Sequence, residues 1–85
     1  MIAAQVALYP LRTDDVDGAV TAALDAIAAL SGEGLVIEVA SMSTVLTGPD
    51  DVVWRAMREI FDALARDGHR VVLTTTVSNE CGCAT

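Results

Sequence analysis

Aromatic side chains are nearly absent: Tyr9, Trp54 and Phe61 make up 4% of the 85 residues. A sheet that reads RNA stacks bases on exposed aromatics in a positive surround, and Tyr9 alone does not supply that. Basic residues are also scarce, with five Lys plus Arg against twelve Asp plus Glu and a net charge of −7. Such a field repels a polyanion instead of steering it inward. No nucleic-acid partner is expected, and a cationic ligand is mildly favoured. No apolar run approaches the roughly 20 residues that span a bilayer, so membrane insertion is not expected either. Residues 1–8 have no basic region ahead of their apolar stretch and read as a first strand, not a signal peptide, which points to a cytoplasmic protein.

Cysteine is limited to Cys81 and Cys83 at the C-terminal end. A disulfide there would staple nothing distant, and reduced thiols are expected in a cytosol. As two metal ligands they would need two more, and a single His with no further Cys does not complete a tetrahedral set. No metal and no cofactor are expected. A metallochaperone of the topology derived below carries Cys-x-x-Cys in its first strand-to-helix loop; here that loop is Leu11, Arg12, Thr13, Asp14. Cys81 as a nucleophile would need a base. His69, however, opens the same ten-residue strand that Cys81 follows, about 30 Å away at ~3.3 Å per residue. Within one subunit they form no dyad, so an enzyme is not expected; catalysis by Cys81 would have to cross a subunit boundary.

Apolar residues, by contrast, make up 53% of the chain. One core in a chain of this length cannot hide that many, and the excess implies a buried subunit interface. The length suits one domain, placed at residues 1–80 with a tail at 81–85. Residues 2–9 alternate, Ile2, Ala4, Val6 and Leu8 against Ala3, Gln5, Ala7 and Tyr9, which predicts a strand stopped by Pro10. Asp14, Asp15 and Asp17 suit a helix N-terminus. Val16, Val20, Ala23, Ile27 and Leu30 recur at helical spacing until Ser31, Gly32 and Gly34 end the element.

Residues 35–40 alternate again, and after a break near Ser41 and Met42 a short strand over 43–47 completes a hairpin. Gly48 and Pro49 read as a turn, and Pro49, Asp50 and Asp51 start a second helix with an apolar stripe of Val53, Met57, Ile60 and Leu64. Gly68 closes it, and residues 69–78 alternate as the last strand, Val71, Leu73, Thr75 and Val77 against Val72, Thr74, Thr76 and Ser78. Trp54 reads as a packing or interface aromatic, and His69 as a solvated turn residue.

The predicted fold class is therefore α+β, a ferredoxin-like βαββαβ sandwich. Right-handed crossovers put both helices on one face of a four-stranded antiparallel sheet. The other face presents Ala3, Gln5, Ala7, Tyr9, Glu38, Ser43, Val45, Thr47, Thr74, Thr76 and Ser78. That mixture is too apolar for full solvation and too polar for a dry core, and it predicts sheet-on-sheet packing between subunits around a semi-polar pocket.

Several of these residues form an ordered set: Leu8-Tyr9-Pro10-Leu11; Ser43-Thr44 followed by Gly48; Val53-Trp54 opening a helix that carries Phe61; Gly68-His69; and Thr76-Val77-Ser78-Asn79-x-Cys81. In order and spacing the set resembles the YkoF-like thiamine-binding family over nearly the whole chain. The family ending Pro-Gly-Asp is replaced here by Gly82-Cys83-Ala84-Thr85. The resemblance implies ferredoxin-like domains packed in twos or fours, and a dimer or tetramer for a single-domain chain. It also implies a non-enzymatic function in which thiamine or its hydroxymethylpyrimidine moiety is bound, in connection with uptake or salvage.

An aminopyrimidine needs mixed donors and acceptors between apolar walls. Gln5, Ser43, Thr44, Thr76, Ser78 and Asn79 offer such groups. Glu38 can accept from the exocyclic amine or balance a thiazolium charge, and Tyr9 can cover the ring. Each strand hydroxyl is equally a β-propensity choice, and Asn79 equally a turn residue. An assembly module with no ligand, or with an effector ligand, is the alternative reading.

Overall fold

β1 (Ile2–Leu11) forms as the alternation dictates: Ile2, Ala4 and Val6 are buried, while Gln5 and Tyr9 are exposed. The computed structural model describes residues 1–11, 16–40, 43–66, 68 and 70–79, with backbone alone at positions 10, 16 and 17. The Asp14, Asp15 and Asp17 cap, the break at Ser41 and Met42, His69, and Cys81 and Cys83 lie outside the described residues or side chains.

β1 does not stop at Pro10 as its chemistry predicts. It runs through to Leu11, paired with β4 (Arg70–Ser78) from Ala3↔Ser78 to Leu11↔Arg70. On its other side, pairing with β3 (Thr44–Gly48) ends at Val6↔Thr44. Beyond Val6 the strand has, among the described residues, a neighbour on one side only, and a proline lacking its N–H is tolerated at such an edge.

α1 (Val16–Ile27) tightens into a 3-10 stretch, Ala28–Glu33, where one continuous helix is expected. The Ser31 hydroxyl donates to the Ala28 carbonyl at 2.9 Å, a local bond that competes with the helical ladder. Gly34 at φ 99° then reverses the chain, its N–H donating to the Ser31 carbonyl and that of Leu35 to the Leu30 carbonyl.

β2 (Val36–Val39) pairs antiparallel with β3. Gly48 is a strand residue and not part of a turn. A Cβ there would sit 2.9 Å from the Gly34 carbonyl oxygen, so only glycine lets β3 pass this close.

α2 (Asp50–Arg66) opens with the Val53 N–H donating to the Pro49 carbonyl, and Asp50 and Asp51 sit at its positive end. Its buried stripe contains Val53, Met57, Ile60 and Leu64 as expected, widened by Val52 and Ala56. Trp54 is 56% exposed on the outer side of this helix.

The sheet order is β2-β3-β1-β4, antiparallel throughout, with two helices: the ferredoxin-like arrangement. Ile27, Leu46, Val53 and Leu64 are the largest fully buried side chains and tie both helices to the sheet. No helix among the described residues is long and apolar enough to cross a membrane.

Candidate functional site

The register fixes which side chains share a face. One row across the sheet is Glu38, Val45, Gln5 and Thr76, and the next same-face row is Val36, Thr47, Ala3 and Ser78. Both lie opposite the rows that carry the buried Ala4, Val6 and Leu46, and so on the face without helices. At about 4.8 Å per strand, Glu38 and Gln5 stand roughly 10 Å apart with Val45 between them. The Gln5 Nε2 donates to the Ser43 Oγ at 3.2 Å, which orients the amide and draws Ser43 into the set. Tyr9, four residues along β1, is ~13 Å from Gln5 on the same face.

Gln5, Glu38, Ser43, Thr76 and Ser78 are thus brought together. Three candidates stand apart, Tyr9 by the ~13 Å along β1. Thr44 pairs with the buried Val6 and faces the helix side, so it does not join this set. Asn79 borders a shallow recess at the end of the sheet, with Ser78, Ile2, Asp50 and Trp54.

The open face is chemically mixed. A carboxylate, an amide and several hydroxyls alternate with Ala3, Ala7 and Val45, while Tyr9, Leu11, Val36 and Val72 remain exposed. The arrangement offers both donors and acceptors over a flat apolar floor, with one negative charge at the β2 edge. Among the described residues, no group of His, Cys, Asp and Glu is placed to hold a metal ion. On α2, Arg55 donates to the Glu33 carboxylate in the 3-10 stretch. That hydrogen bond, with the attraction of the same charge, holds the guanidinium above its ordinary pKa.

The sequence pattern did not reveal a cleft of about 530 Å³ between α1, the C-terminal half of β1 and the β2–β3 hairpin, which Tyr9, Ser43 and Thr44 of the candidate set line. Among the described side chains of α1, Ala19 and Ala23 are the buried ones ahead of Ile27, and Ala23 lines the cleft. Such small side chains leave space that larger ones would fill. The alanine richness of α1 was the available signal.

The YKOF-related family model matches residues 1–84. The chain belongs to the YKOF-related family. Solved structures with the same fold include a hypothetical protein from Methanocaldococcus jannascii, at 25% identity and a TM-score of 0.77, covering 95% of this chain and 81% of that one. A domain of unknown function, DUF77, from Bacillus cereus aligns at 24% identity and a TM-score of 0.75, covering 91% and 73% of the two chains. A Thermotoga maritima protein provisionally assigned to thiamine biosynthesis or salvage aligns at 19% identity and a TM-score of 0.73, covering 91% and 81%. At these identities the last two establish the fold and nothing further. No curated protein sequence matches this YKOF-related chain.

Proposed function

We propose that the protein is a non-enzymatic binder of thiamine or its hydroxymethylpyrimidine moiety, with its site on the helix-free sheet face of a homo-oligomer. The observation that carries this reading is the row Glu38–Val45–Gln5–Thr76, with Ser43 hydrogen-bonded to Gln5. An aminopyrimidine edge needs an acceptor for its amine and a donor for its ring nitrogen; Glu38 and the Gln5 amide have those capacities. The Glu38 carboxylate and the overall charge of −7 favour a thiazolium cation. A second protomer over Tyr9, Leu11, Val36 and Val72 would convert the open face into a walled pocket and bury exposed apolar surface. Family membership and the Thermotoga maritima neighbour support the same ligand class.

The test is calorimetric titration with thiamine and with hydroxymethylpyrimidine, alongside Trp54 and Tyr9 fluorescence. Saturable binding is expected. Gln5→Ala and Glu38→Gln should each weaken it by about 3- to 30-fold, the worth of a hydrogen bond or a charge contact of roughly 0.7–2 kcal/mol. Absence of a saturable response at millimolar ligand overturns the reading.

The exposed apolar residues of the same face also favour a second reading, an assembly module without a ligand. A structure of the assembled protein with that face closed by apolar contacts and no cavity would decide for it.

A further inference from the structure

β4 ends the sheet order, and among the described residues no strand lies along its outer flank. Edge strands of soluble proteins are normally short or guarded by charge, proline or a bulge, because a bare edge recruits another strand. β4 has none of these guards after Arg70. Residues 71–78 include no charge and no proline, most are β-branched, and the register with β1 runs on without a bulge.

The strand is also complementary to itself. In an antiparallel pair centred on Thr74, Thr74 meets Thr74, Leu73 meets Thr75, Val72 meets Thr76 and Val71 meets Val77. Threonine and β-branched pairs of this kind stabilise antiparallel ladders, and the two Arg70 side chains stay at opposite ends, so like charges do not meet.

The helix over this edge repeats the symmetry. Met57 belongs to the buried stripe of α2 and accepts the hydrogen bond of Thr75, so the next stripe outward, Trp54, Arg58, Phe61 and Ala65, overlooks the β4 edge. All four of its residues are exposed. Their spacing of four, three and four reads the same in both directions, as a two-fold seam between antiparallel helices requires. Trp54 then lies over the partner's Ala65, and Arg58 over the ring of the partner's Phe61.

The two centres coincide. Trp54 shares a recess with Val77 and Ser78 while Met57 bonds to Thr75, so α2 runs opposite to β4. One strand residue back from Thr75 is about 3.3 Å, or roughly two residues along a helix rising ~1.5 Å each. Thr74 therefore stands level with Glu59, and the helical seam has its midpoint between Arg58 and Phe61. One axis serves both elements.

We propose that a second copy of this chain docks on the β4 edge, pairing strand with strand about Thr74 and α2 with α2 in a single two-fold contact. It joins two four-stranded sheets into one continuous sheet, with both helix-free faces on the same side and still open. The contact is distinct from the sheet-face packing proposed above and does not depend on a ligand.

The test uses the full chain with Cys81→Ser and Cys83→Ser, carrying one nitroxide label at a time at position 70, 72, 74 or 76. Electron paramagnetic resonance then reads the distance between the labels of the two copies. It should be shortest at 74, below about 10 Å, and grow by roughly 6.6 Å per residue to either side, reaching about 26 Å at 70. Trp54→Lys combined with Phe61→Lys removes both rings and sets a like charge beside the partner's Arg58, at positions too exposed to disturb the core. The double variant, folded by its far-ultraviolet spectrum, should lose these short distances and show about half the parent's mass by light scattering at equal concentration. A profile without its minimum at 74, an unchanged profile in the double variant, or a parent that stays monomeric at millimolar concentration overturns the proposal. A protein that shows the profile yet fails to bind thiamine supports this contact and overturns only the ligand reading.

Discussion

At the scale of single residues, two glycines, Gly48 of β3 and Gly32 of the 3-10 stretch, have opposite tolerance. A methyl group on Gly48 would press on the Gly34 carbonyl oxygen, whereas one on Gly32 would meet nothing within 4 Å. Gly48→Ala is therefore expected to lower stability by about 1–3 kcal/mol through forced backbone displacement. Gly32→Ala should leave it within about 0.5 kcal/mol, as substitutions away from such features do. Urea unfolding of the two variants checks the contrast, and equal midpoints would remove the close-approach account. Leu46, fully buried at the centre of the sheet, sets the upper end of the scale: Leu46→Ala should cost roughly 2–5 kcal/mol.

For the elements, periodicity was a good guide wherever one face is buried. The α2 stripe and the alternation of β1 and β4 were legible because each places apolar side chains against one core. The deviations have local causes that periodicity does not encode. Pro10 is accommodated because β3 ends its pairing at Val6. The tail of α1 becomes a 3-10 stretch where the Ser31 hydroxyl competes for the Ala28 carbonyl. Thr44 and Ser43 point to opposite faces of the sheet, yet both border the cleft beside the β2–β3 hairpin.

On the helix-facing side of β4, the Thr75 hydroxyl donates to the Met57 sulfur at 3.3 Å, linking strand to α2. An O–H···S contact of this kind is weak, and valine has the better shape for an apolar partner. Thr75→Val is expected to be neutral or stabilising by up to about 1 kcal/mol; thermal melting checks it, and a clear loss would give that hydrogen bond a structural role.

For the whole molecule, composition carried the arrangement of the open face further than it carried the cleft. An apolar share of 53% exceeds what one small core buries, and Tyr9, Leu11, Val36 and Val72 are part of the remainder. The cleft was not legible because it arises from the fit of an alanine-rich helix to a sheet, a property of packing and not of pattern. If the helix-free face is the contact between protomers, Val36→Lys combined with Val72→Lys places charge near both edges of that contact. Light scattering across a range of concentrations should then report a lower mass for the double variant with its far-ultraviolet spectrum retained. An unchanged mass would place the contact elsewhere.

The sheet order has a further consequence for how the chain reaches this state. β1 is made first but lies between β3 and β4, the last two strands to be made. During synthesis β1 can meet β3 once residue 48 has left the ribosome, but its other flank must wait until residue 78 has followed. The longest seam, β1 with β4, joins the first and last of the four strands. Such non-local closure slows folding, so the nascent chain is most exposed to wrong strand partners just before its final strand emerges.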